Sequence, residues 1–212
     1  MNAWRTLVCS GLILLGSIPG MAQDRVPETE PESLRNWFLE VQWVGSEREK
    51  YDVFARENVP PAEVTKSGEG PGFSFGRRIG GRFVLAFQFL LVWHDVAVDG
   101  MDLIDGEMLI TGTVLFRERS FLQPFLRGGV GGTGLILKQE DDVHIVYGTA
   151  ASAGGGLALR FSGRWSLELE GAGTFANYLE ADENPADEEQ DRYQVRTSNI
   201  GWRLGVGIRI WF

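Results

Sequence analysis

The chain has 212 residues, 43% of them hydrophobic, with 20 basic against 29 acidic residues and a formal net charge of −9. That length suggests one domain, and the acidic balance argues against nucleic acid as a partner, because phosphate neutralisation needs clustered Lys and Arg. The single cysteine, Cys9, lies in an N-terminal leader, which leaves the remainder without a disulfide, a thiol nucleophile or a thiolate metal ligand.

Residues 1–22 read as a cleaved signal peptide. Arg5 supplies the positive start, "LVCSGLILLGSI" the short apolar core, and Gly20 and Ala22 the small side chains at a cleavage site. The core is shorter than the roughly 20 apolar residues of a membrane-spanning helix. Val8 before Cys9 does not fit a lipoprotein signal. Residues 23–34 are acidic and contain prolines, as a short periplasmic N-terminal arm would. Residues 35–212 form one periodic domain.

That domain alternates with a period of two. "NWFLEVQWVG" sets Trp37, Leu39, Val41 and Trp43 against Phe38, Glu40 and Gln42. "GFSFGRRI" sets Phe73 and Phe75 against Ser74, Gly76 and Arg78. "RFVLAFQFLLVWH" aligns Phe83, Leu85, Phe87, Phe89, Leu91 and Trp93 opposite Arg82, Ala86, Gln88 and His94. In "EMLITGTVLFR", Met108, Ile110, Val114 and Phe116 oppose Thr111, Thr113 and Arg117, with Leu109 and Leu115 breaking the phase.

The second half repeats the pattern. Leu122, Leu126 and Val130 oppose Gln123, Arg127, Gly129 and Gly131; Leu157, Leu159 and Phe161 oppose Gly154, Gly156, Ala158 and Arg160. Trp165, Leu167, Leu169 and Phe175 oppose Ser166, Glu168, Glu170 and Thr174. The last run sets Ile200, Trp202, Leu204, Val206, Ile208, Ile210 and Phe212 against Arg203, Gly205, Gly207 and Arg209. Each run suits a tilted strand crossing a bilayer, which needs about 9–11 residues.

Tight turns around "IGG", "RERS" and "SGR" alternate with four long connections, at 46–71, 95–106, 135–149 and 179–198. Short turns on one edge and long loops on the other predict an all-β fold, an eight-stranded antiparallel up-and-down transmembrane β-barrel. A soluble barrel would line its cavity with the apolar face; a membrane barrel reverses the orientation. Three features favour the reversal. The less apolar face is rich in Gly, Ala, Ser, Thr, Arg, Glu and Gln, and the only lysines, Lys50, Lys66 and Lys138, fall in the connections. Glycines are expected on that face because eight strands leave little internal room. Trp37, Trp43, Trp93, Trp165 and Trp202 sit near strand ends, where aromatic girdles belong.

"FLQPFLRGGVGG", "GGGLALRFSGRWSLELEG" and the ending "GVGIRIWF" resemble the fifth, sixth-to-seventh and eighth strands of the small outer-membrane barrels grouped with OmpA and OmpX. The resemblance covers residues 35–212 and implies a Gram-negative outer-membrane location, reached through the cleaved signal peptide. It also implies contact with outer-membrane lipid and lipopolysaccharide, and a terminal signal read by the barrel-assembly machinery. Gly207, Ile210 and Phe212 match that signal, while Gly205 stands where a polar residue is usual. The resemblance does not extend to the peptidoglycan-binding domain of full-length OmpA, so it implies no cell-wall anchoring role.

The inward face carries a candidate charge network of Glu40, Arg78, Arg127, Arg160, Glu168, Glu170, Arg203 and Arg209. Charges in a confined interior need partners with further hydrogen bonds. Strand adjacency predicts Glu168 and Glu170 near Arg160 on one side and Arg203 or Arg209 on the other, with Glu40 near the terminal arginines. Such a set acts as a plug that fixes register or as an ion gate. Catalysis needs a base beside a nucleophile; His94 at a strand end and His144 in a connection show no such pairing with Ser152 or Ser166. The acidic stretch 180–191 holds seven carboxylates and lacks the spacing of a calcium loop. A surface partner for it is left open. No cofactor and no metal is expected. The reading is a non-enzymatic envelope protein with a structural, surface-contact or narrow-channel role; the alternative is an exported soluble barrel holding a small hydrophobic ligand.

Overall fold

The computed structural model describes residues 36–48, 64–96, 101–116, 120–139, 142–183 and 192–212. The predicted signal peptide and arm lie outside the described residues. Eight strands follow in order: β1 (Trp37–Arg48), β2 (Val64–Ile79), β3 (Phe83–Val96), β4 (Met101–Leu115), β5 (Leu122–Gln139), β6 (Asp142–Arg160), β7 (Trp165–Glu183) and β8 (Arg192–Trp211). Each pairs antiparallel with its sequence neighbour, and β1 pairs with β8, closing the barrel. Closure leaves no unpaired strand edge, the condition for sheet backbone to exist in hydrocarbon.

The ring is sheared. Starting at Phe38 and following paired residues through Gly76, Ala86, Thr111, Gly129, Ser152 and Thr174, the path arrives at Gly201. Phe38 itself pairs with Trp211, much farther along β8. This offset is the stagger that a closed, tilted barrel requires. The seam is finished by reciprocal backbone bonds, Trp37 N–H to the Phe212 carbonyl (3.1 Å) and Phe212 N–H to the Trp37 carbonyl (2.9 Å). One strand from the seam at the same end, Gly80 turns β2 into β3 with φ of 67°, a left-handed conformation that glycine adopts without a Cβ clash.

The phase of alternation matches the sequence reading on every strand. Outward-facing Trp37, Val41, Phe73, Phe87, Ile110, Leu126, Val130, Phe175, Ile200 and Trp202 are exposed. Inward-facing Glu40, Gln88, Thr113, Arg127, Glu168, Arg203 and Arg209 are buried. Leu109 and Leu115, which break the phase of β4 on paper, are inside the barrel at 0% and 1% exposure. They are apolar because parts of the lumen are apolar, so they do not shift the register.

Three expectations need correction. The strands run to 12–20 residues and extend into all four predicted loops. The connection 135–149 is mostly hairpin, with Leu135 opposite Val146 and Ile136 opposite Ile145. Ladder hydrogen bonds hold strands without demanding an apolar outer face, so the apolar periodicity understates their length. His144 therefore belongs to β6. Glycines also occupy both faces, with Gly128, Gly132, Gly171 and Gly173 on the same outward parity as Val130 and Phe175. The remaining part of the acidic stretch, 184–191, and Arg117 lie outside the described residues.

Candidate functional site: the lumen charge network

The lumen is filled in layers. At the short-turn end, Phe38, Val84, Ala86, Leu115, Phe125, Ala158 and Trp211 form a buried apolar plug. Phe38 and Trp211 meet at 5.1 Å between ring centroids. Three arginines rest on these rings: Arg209 over Phe38 at 4.3 Å, Arg78 over Trp211 at 4.3 Å and Arg127 over Phe125 at 5.1 Å. Guanidinium planes stack well on aromatic faces, and the contact gains when both are desolvated.

Above the plug lies the first ionic layer. Arg209 Nη2 donates to Glu40 Oε2 (2.7 Å) and Glu168 Oε2 (2.8 Å). Arg127 Nη2 donates to the same two oxygens, at 3.4 Å and 3.0 Å. Arg127 also pairs through Nη1 with Glu170 and through Nε with Thr113 Oγ1 (3.2 Å). Two guanidinium groups and two carboxylates thus make a closed ring, with Glu170 as a third carboxylate attached to Arg127.

Arg127 reaches β7 across the intervening β6. That path is open because β6 presents Gly154 opposite Arg127 and Gly156 opposite Phe125. A Cβ on Gly156 would fall on the Leu169 carbonyl and lie 2.7 Å from the Phe125 ring. The strand is thus glycine here because the lumen has no volume to spare.

A second ionic layer sits nearer the long-connection end. Arg48 pairs with Asp105 and with Glu107 Oε1 (2.7 Å). Arg203 Nη1 donates to Glu107 Oε2 (2.8 Å), and its Nη2 reaches Gln88 Oε1 (3.3 Å) and Ser152 Oγ (3.4 Å). Thr133 Oγ1 donates to Asp105 Oδ1 (3.4 Å). A void bounded by Val44, Ser46, Leu90, Val92, Thr174 and the four ions has room for about one water molecule. Leu103, Leu135, Val146 and Tyr178 are buried on the far side of this layer.

The predicted network is therefore two networks. Glu40, Arg127, Glu168, Glu170 and Arg209 come together; Glu40 and Glu168 meet Arg209 as strand adjacency suggested, whereas Glu170 pairs across the lumen with Arg127, a partner that adjacency did not suggest. Arg160 instead donates to the Gly163 carbonyl at the β6–β7 turn (3.4 Å). Arg78 lies on the aromatic plug, and Arg203 belongs to the second layer. The sequence reading missed Arg48, Asp105 and Glu107. All three share the inward parity of their strands, but Arg48 and Asp105 fell in stretches read as connections.

The other sequence candidates resolve as follows. His94 is 4% exposed and faces the lumen, the side that the alternation of β3 gave it. Ser152 accepts from Arg203, and Ser166 is buried. Among the described residues, no group of three or more His, Cys, Asp or Glu side chains is placed to hold a metal. Of the terminal signal residues, Gly207 faces inward, where a Cβ would lie 2.9 Å from Gln42 Cβ. Ile210 and Phe212 face outward, Phe212 at 55% exposure.

Neither family profiles nor curated proteins match this sequence. Solved structures do. Neisserial surface protein A (NspA) superposes with a TM-score of 0.62 at 12% identity, over 83% of this chain and 97% of that one. The outer-membrane protein OprG from Pseudomonas aeruginosa gives 0.53 at 15% identity, over 84% and 96%. With a closed antiparallel ring of eight strands and nearly complete coverage of both structures, the chain shares the fold of these two small outer-membrane barrels.

Proposed function

We propose that the protein is an integral outer-membrane barrel that neither catalyses nor conducts, and that serves as a structural and surface-contact element of a Gram-negative envelope. The observation that carries this reading is the packed lumen. Among the described residues, the apolar plug, the two ionic layers and the cap of Leu103, Leu135, Val146 and Tyr178 are all buried and succeed one another along the lumen. Eight strands leave room for side chains and little else. The exposed outer wall of Trp, Phe, Ile, Leu and Val supports the membrane setting and weighs against a soluble carrier, whose cavity would have to hold the ligand.

The rest of the proposal follows from that setting. The N-terminal signal peptide directs export, lipid and lipopolysaccharide surround the wall, and the assembly machinery reads Gly207, Ile210 and Phe212. The strand extensions and the acidic stretch 180–191 carry the surface contacts. Planar-bilayer recording of the refolded protein tests the sealed lumen. Silent membranes are expected for the wild type. Discrete conductance steps that change with Glu168→Ala or Arg203→Ala would replace the plug with a gate.

A further inference from the structure

The short-turn end of the barrel exposes positive charge on its own. Arg77, Arg82 and Arg164 are exposed there, and half-buried Arg78 and buried Arg160 lie at the same end. Among the described residues, the carboxylate side chains nearest this end are Glu40, Glu168 and Glu170, all buried in the first ionic layer. The β4–β5 connection adds Arg117, Glu118 and Arg119 in sequence, outside the described residues. At the long-connection end, exposed Glu69 and Asp102 accompany Lys138, so the purely positive rim belongs to one end.

Two of the short turns repeat one arrangement. Gly81-Arg82-Phe83 and Gly163-Arg164-Trp165 each place an arginine directly before an exposed ring that opens the next strand. Aromatic rings at the ends of membrane strands sit at headgroup level. Each arginine is therefore held where lipid phosphates lie. Arg77 adds a third position. On the outward face of β2 it pairs with Trp37 on one side and Leu85 on the other, with Phe75 and Ile79 before and after it. All four neighbours are exposed and apolar. Its guanidinium lies 5.5 Å over the Trp37 ring, which stacks on Phe75 at 5.2 Å. The long stem of arginine brings a charge from such a place to the interface. Contact with a ring uses the face of a guanidinium and leaves the in-plane N–H donors, which suit phosphate oxygens two at a time.

We propose that this rim binds the phosphate groups of anionic phospholipids, with Arg77 over Trp37 as one headgroup site and the Arg82–Phe83 and Arg164–Trp165 turns as two more. Among the described residues the rim exposes no carboxylate to pair with the cationic half of a zwitterionic headgroup, which favours lipids of net negative charge. The β2–β3 and β6–β7 turns stand half the ring apart. That spacing suits lipids arrayed around a wall better than one docked acidic protein. A basic side chain near an anionic surface is worth about fivefold in affinity.

The proposal rests on the membrane setting above, and one experiment separates the two. The full chain is refolded into vesicles of equimolar dioleoylphosphatidylcholine and dioleoylphosphatidylglycerol. Trace spin-labelled phosphatidylglycerol or phosphatidylcholine then reports which lipid the protein restricts in motion. Phosphatidylglycerol should be enriched in the restricted population, by about fivefold at each arginine site. Arg77→Gln should reduce that preference and Arg77→Lys should largely keep it. Arg77→Gln, Arg82→Gln and Arg164→Gln together should abolish it, whereas Lys138→Gln at the other end should leave it unchanged. Sodium chloride should weaken the preference, and inorganic phosphate at equal ionic strength should weaken it no further. A preference that is missing in the wild type, survives the triple variant or falls equally with Lys138→Gln would overturn the rim. An extra loss with phosphate would overturn the lipid as ligand in favour of the free ion. No restricted lipid of either kind would overturn the membrane setting itself.

Discussion

Near the short-turn end two arginines serve three glutamates; near the long-connection end two arginines serve one aspartate and one glutamate. The first layer is a closed ring of ion pairs. Its five charges come from β1, β5, β7 and β8, and its arginines lie on aromatic rings. The second layer adjoins a void of about one water and draws on Gln88, Ser152 and Thr133 as neutral partners. The difference separates two ways of keeping charge inside a barrel. One pairs its ions chiefly with one another, with Thr113 as a neutral partner of Arg127, and depends on its two arginines. The other mixes ions with neutral polar groups and leaves room for solvent to take over a vacated position.

The largest effect should therefore come from Arg127, which alone touches Glu40, Glu168 and Glu170. Arg127→Met removes the charge while keeping much of the stem. It should cost about 3–5 kcal/mol, the usual penalty for stranding a buried charge, read as a lower unfolding midpoint of the heat-modifiable folded band. Arg203→Met in the second layer should cost less, about 1.5–3 kcal/mol, because water can enter beside Glu107. Equal losses in the two variants would erase the distinction between the layers. The smallest change is expected from Glu168→Gln. Among the described residues its Oε1 has no hydrogen-bond partner, and the amide brings the charge count of the layer from three against two to two against two. Stability within about 1 kcal/mol of the wild type is expected in the same assay; a loss comparable to Arg127→Met would show that the third carboxylate charge is needed.

How much of this was legible in the sequence follows from what each face has to satisfy. The outward positions of the membrane part tolerate little but apolar side chains, so their parity could be read strand by strand, and Leu109 and Leu115 misled only on which residues line the lumen. The ends of strands lie where that demand lapses. For this reason "DVHIVYGT" read as loop although it forms half of a hairpin. Ladder neighbours were legible too, which placed Glu40 beside Arg209. The reach of Arg127 across β6 to Glu170 was not, because it depends on the length and direction of a side chain in a lumen whose width no spacing encodes. The glycines teach the same lesson. Gly156 is dictated by contact with Leu169 and Phe125, whereas a Cβ on Gly173 would approach nothing nearer than the Ala153 carbonyl at 3.9 Å.

The seam between Trp37 and Phe212 has a kinetic consequence. Seven of the eight strand pairings join neighbours in the chain and can form as successive hairpins. The eighth brings together residues separated by nearly the whole domain. Its closure entropy is the largest of the set, and pairings of such sequence separation form late. The ring should therefore pass through an open, seven-pairing sheet whose two free edges are β1 and β8. In hydrocarbon those edges cannot be left without partners, so in the membrane setting proposed above insertion and closure of this barrel form one event. The reciprocal bonds between Trp37 and Phe212 belong to its last step.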